Sequence, residues 1–180
     1  KNMYLYYKQR AFTFIELVIT IAVLCIIATF ALPMYHKLQE NLELNRVPAL
    51  VRQQVALAKT QASTHHNTVV MCSSVHMEKC EINQWHNGII IFSDTNNNKI
   101  IDNNEIIYST LKTEIRYGTF RFINNATNTK NTLTFQGDTG LPRGAAGGFH
   151  YCSFNDKQQY NYYPVSPMGH VRIDKSDKCN

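Results

Sequence analysis

The chain has 180 residues, the length of one domain with room for an appended segment. Its 18 Lys and Arg against 13 Asp and Glu give a formal charge of +5, too mild for an obvious nucleic-acid binder and too charged for a polytopic membrane protein. Hydrophobic residues make up 44% and aromatics 11%, which excludes a disordered chain, while only eight Gly and five Pro exclude collagen-like or Pro-rich spacers.

The apolar residues are concentrated near the N-terminus, in residues 12–34, FTFIELVITIAVLCIIATFALPM. No charge falls between Leu17 and Met34, and a helix here is long enough to cross a bilayer core, which takes about 20 residues. The charges before it, Lys1, Lys8 and Arg10, are all positive, so the N-terminus is expected in the cytoplasm and the remainder translocated. The run exceeds a secretory signal core and lacks an A-x-A-like site after it, so it is expected to stay on the mature protein. Glu16 is the exception just inside the run. An ionisable group there is a functional site by default, against the plainer reading that it sits at the interface and reaches water.

These residues resemble a family signal. Ala11-Phe12-Thr13-Phe14-Ile15-Glu16-Leu17, followed by the apolar stretch and Pro33, is similar to the type IV prepilin signal, with Ala11 in place of its usual Gly. The resemblance implies cleavage by a prepilin peptidase after Ala11, N-methylation of Phe12, and pairing of Glu16 with the free amine of a neighbouring subunit during filament assembly. A buried carboxylate needs a cationic partner, and that amine supplies one. Discounting Lys1, Lys8 and Arg10 leaves 15 basic against 13 acidic residues, a nearly neutral mature chain.

Residues 34–62 continue as an amphipathic helix. Val47, Val51, Val55, Ala58 and Ala62 form an apolar stripe that Leu38 and Leu42 extend backward, with Gln39, Arg46, Arg52, Gln53 and Lys59 largely elsewhere. One long helix bent at Pro33 and Pro48 is expected. From residue 68 short β-like runs follow: Val69–Cys72, Gly88–Ser93, Glu105–Ser109, Phe120–Ile123, Leu133–Phe135, Phe149–Phe154, Tyr160–Val165 and His170–Ile173. The expected class is α+β, an antiparallel β domain packed on the helix. The division is leader 1–11, helix 12–62 with its membrane segment at about 12–34, and β-rich domain 63–180.

This plan, with Trp85…Gly88 entering Ile-Ile-Phe-Ser-Asp94, an Asn-rich turn, Asp102-x-x-Glu105 and a late Gly169-His-Val-Arg172, resembles the minor pilins and pseudopilins of the FimT, FimU and GspH group. The resemblance implies a low-abundance structural subunit that helps prime, assemble or tip a type IV pilus, with other pilins as partners and the inner membrane as its station before assembly. A type II secretion pseudopilin is the alternative, and so is a DNA-binding pilin for DNA uptake.

Cys25 reads as a small hydrophobe within the apolar helix. The four cysteines beyond it, Cys72, Cys80, Cys152 and Cys179, are expected to form disulfides in a translocated domain. Of three connectivities, Cys72–Cys80 with Cys152–Cys179 is favoured, the first closing a short excursion and the second tying the C-terminus to a strand. Zinc at Cys72, His76, Cys80 and His86 is the rival, at a spacing that fits no familiar closed motif. Asp94, Asn96, Asn98, Ile100 (by its carbonyl), Asp102 and Glu105 occupy positions 1, 3, 5, 7, 9 and 12 of a calcium loop. Lys99 stands at position 6, where Gly is wanted, and a hairpin turn rich in Asn explains the same residues.

Some members of the resembled group carry a C-terminal Gly-Arg-x-Arg motif that contacts DNA. Here it reads Gly169-His170-Val171-Arg172, with Lys175 and Lys178 following but Asp174 and Asp177 alternating with them. Alternation is expected to put His170, Arg172 and Asp174 outward, with Val171 and Ile173 toward the core. Residues 136–180 carry a net charge of only +1, and phosphate binding needs clustered cations. The chain lacks G-x-S-x-G, Walker A, H-E-x-x-H and dinucleotide motifs, so no catalytic residue is expected and no cofactor beyond calcium.

Overall fold

The computed structural model describes residues 12–124, 132–143, 147–154 and 160–176. Helix α1 runs over Phe14–His65. Thr13 caps its start: the Glu16 N–H donates to Thr13 Oγ1 at 3.3 Å, half of a capping box. Pro33 and Pro48 lie inside the helix and each removes one ladder donor. It stops at His66, whose φ of 53° is the left-handed conformation that ends helices.

The chain divides into two compact units between Gln39 and Glu40. In the first, α1 is exposed along its apolar length, and it is long and apolar enough to cross a membrane. In the second, the rest of α1 packs on eight strands: β1 Val69–Ser73, β2 Gly88–Ser93, β3 Ile107–Lys112, β4 Gly118–Asn124, β5 Thr132–Phe135, β6 Gly147–Ser153, β7 Tyr160–Pro164 and β8 Asp174–Ser176. They form two antiparallel sheets, β3-β2-β1-β5 and β4-β6-β7-β8.

Val47, Val51, Val55, Ala58 and Ala62 are fully buried on one helix face. They meet Val69, Met71, Ile89 and Ile91 of the first sheet and Phe120, Phe122, Phe149, Tyr151 and Tyr163 of the second. Trp85 lies among them, its ring 5.1 Å from Phe149 and 5.7 Å from Phe122. Each large side chain buried this way contributes roughly 1.5–3 kcal/mol.

The stripe does not extend backward as expected. Leu42 is 55% exposed, and Glu40 and Glu43 take the buried positions instead. The second sheet and the turn before it present polar donors at that level. The Arg116 and Tyr117 N–H groups and the Tyr151 hydroxyl donate to Glu43 at 2.8, 3.1 and 2.9 Å, and the Ser153 hydroxyl donates to Glu40. Leucines could not satisfy these groups.

Two strand expectations also shift. The third strand begins at Ile107 rather than Glu105, because Glu105 is drawn into the preceding loop. Residues 170–173 are not a strand: Val171 makes a single bridge to Val165, and β8 starts at Asp174.

Candidate functional site

Three places carry the chemistry expected from the sequence. At the N-terminus, Phe12 and Glu16 are exposed at the start of α1, while Ala11 lies outside the described residues. Glu16 stands at the third helical position after Thr13, where a carboxylate favours the positive end of the helix dipole.

The second place is the outer face of the first sheet. Val70, Cys72, Ile90 and Phe92 form a small apolar cluster there, against which Met77, Cys80 and Ile101 pack. The Cys72–Cys80 disulfide holds the 74–87 excursion over this face, as expected. It also consumes both thiols, which overturns the zinc reading. Ser73 fastens the excursion by donating to the Glu81 carbonyl, and Glu81 accepts from the Val75 N–H at 2.7 Å. Cys152 is disulfide-bonded, and its expected partner Cys179 lies outside the described residues.

The Asn-rich loop closes on its own donors. Asp94 accepts the Asn98 and Lys99 N–H groups at 3.0 and 3.1 Å, and Glu105 accepts those of Thr95 and Asp102 at 2.9 and 3.1 Å. Asn96 and Asn98 donate their amide groups to Asp102 at 2.8 Å each, and the Asn98 oxygen takes the Ile100 N–H at 2.7 Å. Asp94 is 1% exposed, and burial raises its carboxyl above the ordinary range with Glu105 adding to the effect. Lys99, standing where Gly is wanted, adopts the left-handed conformation at φ 62°, as does Asn97 at 60°. Its N–H bond to Asp94 holds that turn. No group of three or more His, Cys, Asp or Glu side chains placed to hold a metal ion occurs among the described residues, and the loop's carboxylates and Asn side chains are hydrogen-bonded within the loop.

The third place is the turn 166–172. His170 and Arg172 are exposed and Val171 packs on the core, but Ile173 is 43% exposed rather than buried. Asp174 is exposed, the Lys175 side chain is not among those described, and Lys178 lies outside the described residues. Ser166 accepts the Gly169 N–H at 2.8 Å, and Gly169 takes φ 75° to close the turn. Two cations of α1 hold this turn from below. Arg52 Nε donates to the Val171 carbonyl at 3.3 Å and Lys59 Nζ to the Met168 carbonyl at 3.0 Å.

A family model described as type II transport protein GspH matches residues 50–166, and the prokaryotic N-terminal methylation motif matches residues 6–32. The chain belongs to the GspH family. Among solved structures it is similar to the type IV minor pilin FimU of Pseudomonas aeruginosa, at 13% identity and TM-score 0.53, over 76% of this chain and 92% of that one. A second crystal form of the same FimU gives 11% identity and TM-score 0.49, over 72% and 91%. No curated protein matches the chain.

The fold shared with FimU is the pilin fold, a long apolar N-terminal helix packed on antiparallel sheets, and this GspH-family chain is a type IV pilin-like minor pilin or pseudopilin. Its methylation-motif match spans Ala11, Phe12 and Glu16. Sequence reasoning missed Arg52, Lys59 and Arg143 as neighbours of the C-terminal turn. A Cβ on Gly169 would lie 3.2 Å from Lys59 Cδ and 3.6 Å from Pro142 Cδ, which brings the exposed Arg143 beside them. These residues are 26 or more positions from Gly169 in the sequence, and only the tertiary fold brings them together.

Proposed function

We propose that the chain is a minor type IV pilin, cleaved after Ala11 and N-methylated on Phe12, that joins other pilins in priming or tipping a pilus. The observation that carries this reading is the methylation motif joined to a GspH-family domain on one continuous helix. Its role is structural. Before assembly the apolar half of α1 anchors it in the inner membrane, with the β domain on the periplasmic side. In the filament, Glu16 pairs with the amine of a neighbouring subunit, whose positive charge offsets the cost of burying the carboxylate.

The bond of Glu16 to the Thr13 cap is made by its backbone N–H, which Gln at this position keeps. Glu16→Gln therefore keeps the cap and removes only the charge. The expected outcome is a stable, membrane-inserted variant strongly depleted from sheared filaments. Wild-type incorporation of Glu16→Gln would remove the assembly role of the Glu16 charge.

The cations gathered at the C-terminal turn favour a second reading, that the same subunit binds DNA. Arg52, Lys59, Arg143 and Arg172 come from three chain segments to one neighbourhood with exposed His170. Such contacts read backbone charge, so binding should ignore sequence and fall steeply with salt. Titrating duplex DNA with the full chain tests this: Arg52→Ala and Arg172→Ala should each weaken binding and flatten the salt dependence. No binding at low salt leaves the structural role alone.

A further inference from the structure

Helix α1 starts at a boundary that the residues around it do not dictate by their own preferences. Lys8, Gln9, Arg10 and Ala11 before it are all strong helix formers, and neither Gly nor Pro interrupts the chain between Lys1 and Pro33. Where the resembled prepilin signal has Gly, this chain has Ala, the residue that favours a helix most. Propensity alone would let the helix run back across the bond between Ala11 and Phe12.

The structure starts the helix after that bond. Phe12 and Thr13 precede it, Phe14 opens it, and the ladder begins with the Leu17 N–H donating to the Thr13 carbonyl at 3.2 Å. The Thr13 hydroxyl accepts the Glu16 N–H at 3.3 Å, which satisfies one of the donors that a helix leaves orphaned at its start. A helix begun one turn earlier would forfeit that bond. It would also take the Ala11 carbonyl into its ladder, as acceptor for the Ile15 N–H.

We propose that Thr13 is a positioning residue for leader cleavage: its cap holds the helix off the Ala11–Phe12 bond, which therefore meets the peptidase as extended backbone. This rests on the reading that a prepilin peptidase cuts after Ala11. Hydrolysis breaks the bond between the Ala11 carbonyl carbon and the Phe12 nitrogen. Water gives its hydroxyl to that carbon and a proton to that nitrogen, leaving a carboxylic acid and a free amine. The attacked carbonyl needs an open face for water, and its oxygen must be free to accept the donors that stabilise the charge developing on it. A carbonyl inside a helix has already committed that oxygen to its own chain. Thr13 is exposed and takes no part in the hydrophobic core, so changing it leaves the β domain alone.

The test follows leader release from the full chain in mixed micelles with a purified prepilin peptidase, by mass spectrometry of the N-terminal peptide. The variants are Thr13→Ser and Thr13→Asn, which cap at least as well as Thr, and Thr13→Val and Thr13→Ala, which do not cap. The first two should keep kcat/KM near wild type. The last two should lose about fivefold. That loss should lie in KM, because a smaller share of the chain holds the extended form that binds. Ala11→Gly, which weakens a helix across the bond, should recover more of the rate in Thr13→Val than it adds to wild type.

Equal rates for all four variants would overturn the proposal. So would Thr13→Asn as slow as Thr13→Val, since the peptidase would then be reading the hydroxyl itself, and so would equal gains from Ala11→Gly in the two backgrounds. A wild-type chain left uncut would overturn the processing reading, and the proposal with it.

Discussion

Glu43 is a charged residue in the domain core, and it is there because three donors converge on it. Two are backbone N–H groups of the turn before β4 and the third is Tyr151. Burial first, and Glu43 second, push the Tyr151 hydroxyl far above its ordinary value, since losing that proton would put two negative charges in contact. Burial also pushes Tyr163 up, to about 12. Tyrosine in the unfolded chain titrates near 10, so folding favours the protonated form. The stability this provides is complete below pH 10 and is lost as pH rises through 12, a fall of about 3 kcal/mol for a two-unit shift. Urea unfolding of the full chain between pH 9 and pH 12 should show that fall, and Tyr163→Phe should remove a large part of it. An unchanged slope in Tyr163→Phe would mean that its hydroxyl is not desolvated. None of this was legible in the sequence. Leu38 and Leu42 read as part of the buried stripe, and nothing singled out Glu40 or Glu43, because periodicity registers polarity and cannot register which donors a distant strand will present.

At the scale of elements, β1 and β2 are buried on both faces, which an antiparallel sheet on one helix does not require. The outer face is covered by the two segments that the sequence singles out for chemistry, the Cys72–Cys80 excursion and the Asn-rich loop. Both act as lids: Met77, Cys80 and Ile101 close over Val70, Ile90 and Phe92. The double substitution Cys72→Ser with Cys80→Ser should lower the unfolding free energy by about 2–3 kcal/mol from loop closure alone, with a further loss from the loosened lid. Chemical denaturation of wild type and variant at one pH checks it, and equal midpoints would contradict a structural disulfide. Six strands matched their expected cores because apolar runs bounded by turn residues mark a buried strand. The last one slipped because Val171 and Ile173 alternate with polar residues like a strand, yet Pro167 and Gly169 confine the segment to a turn. The calcium spacing was legible too. The spacing alone did not reveal that each acidic side chain accepts donors from the loop itself.

At the scale of the whole molecule, the methylation motif was the most legible part, because a charge-free run after basic residues has few physical readings. It is also the part whose role depends on other chains. In the isolated molecule Phe14, Ile15, Ile19, Leu24 and Phe30 are all more than half exposed, so the apolar half of α1 is covered only by lipid or by other helices. The second unit, by contrast, buries one core that the C-terminal half of α1 and both sheets share. The groups it adds lie on its surface, where cations from α1 meet the 166–172 turn. The most direct test of the account is the mass of the N-terminal peptide of this chain recovered from sheared filaments. The account predicts a peptide that begins at Phe12, carries one methyl group on its amine, and is missing when the prepilin peptidase is deleted. A chain that is absent from the filament fraction, or that is present there with residues 1–11 still attached, would contradict it.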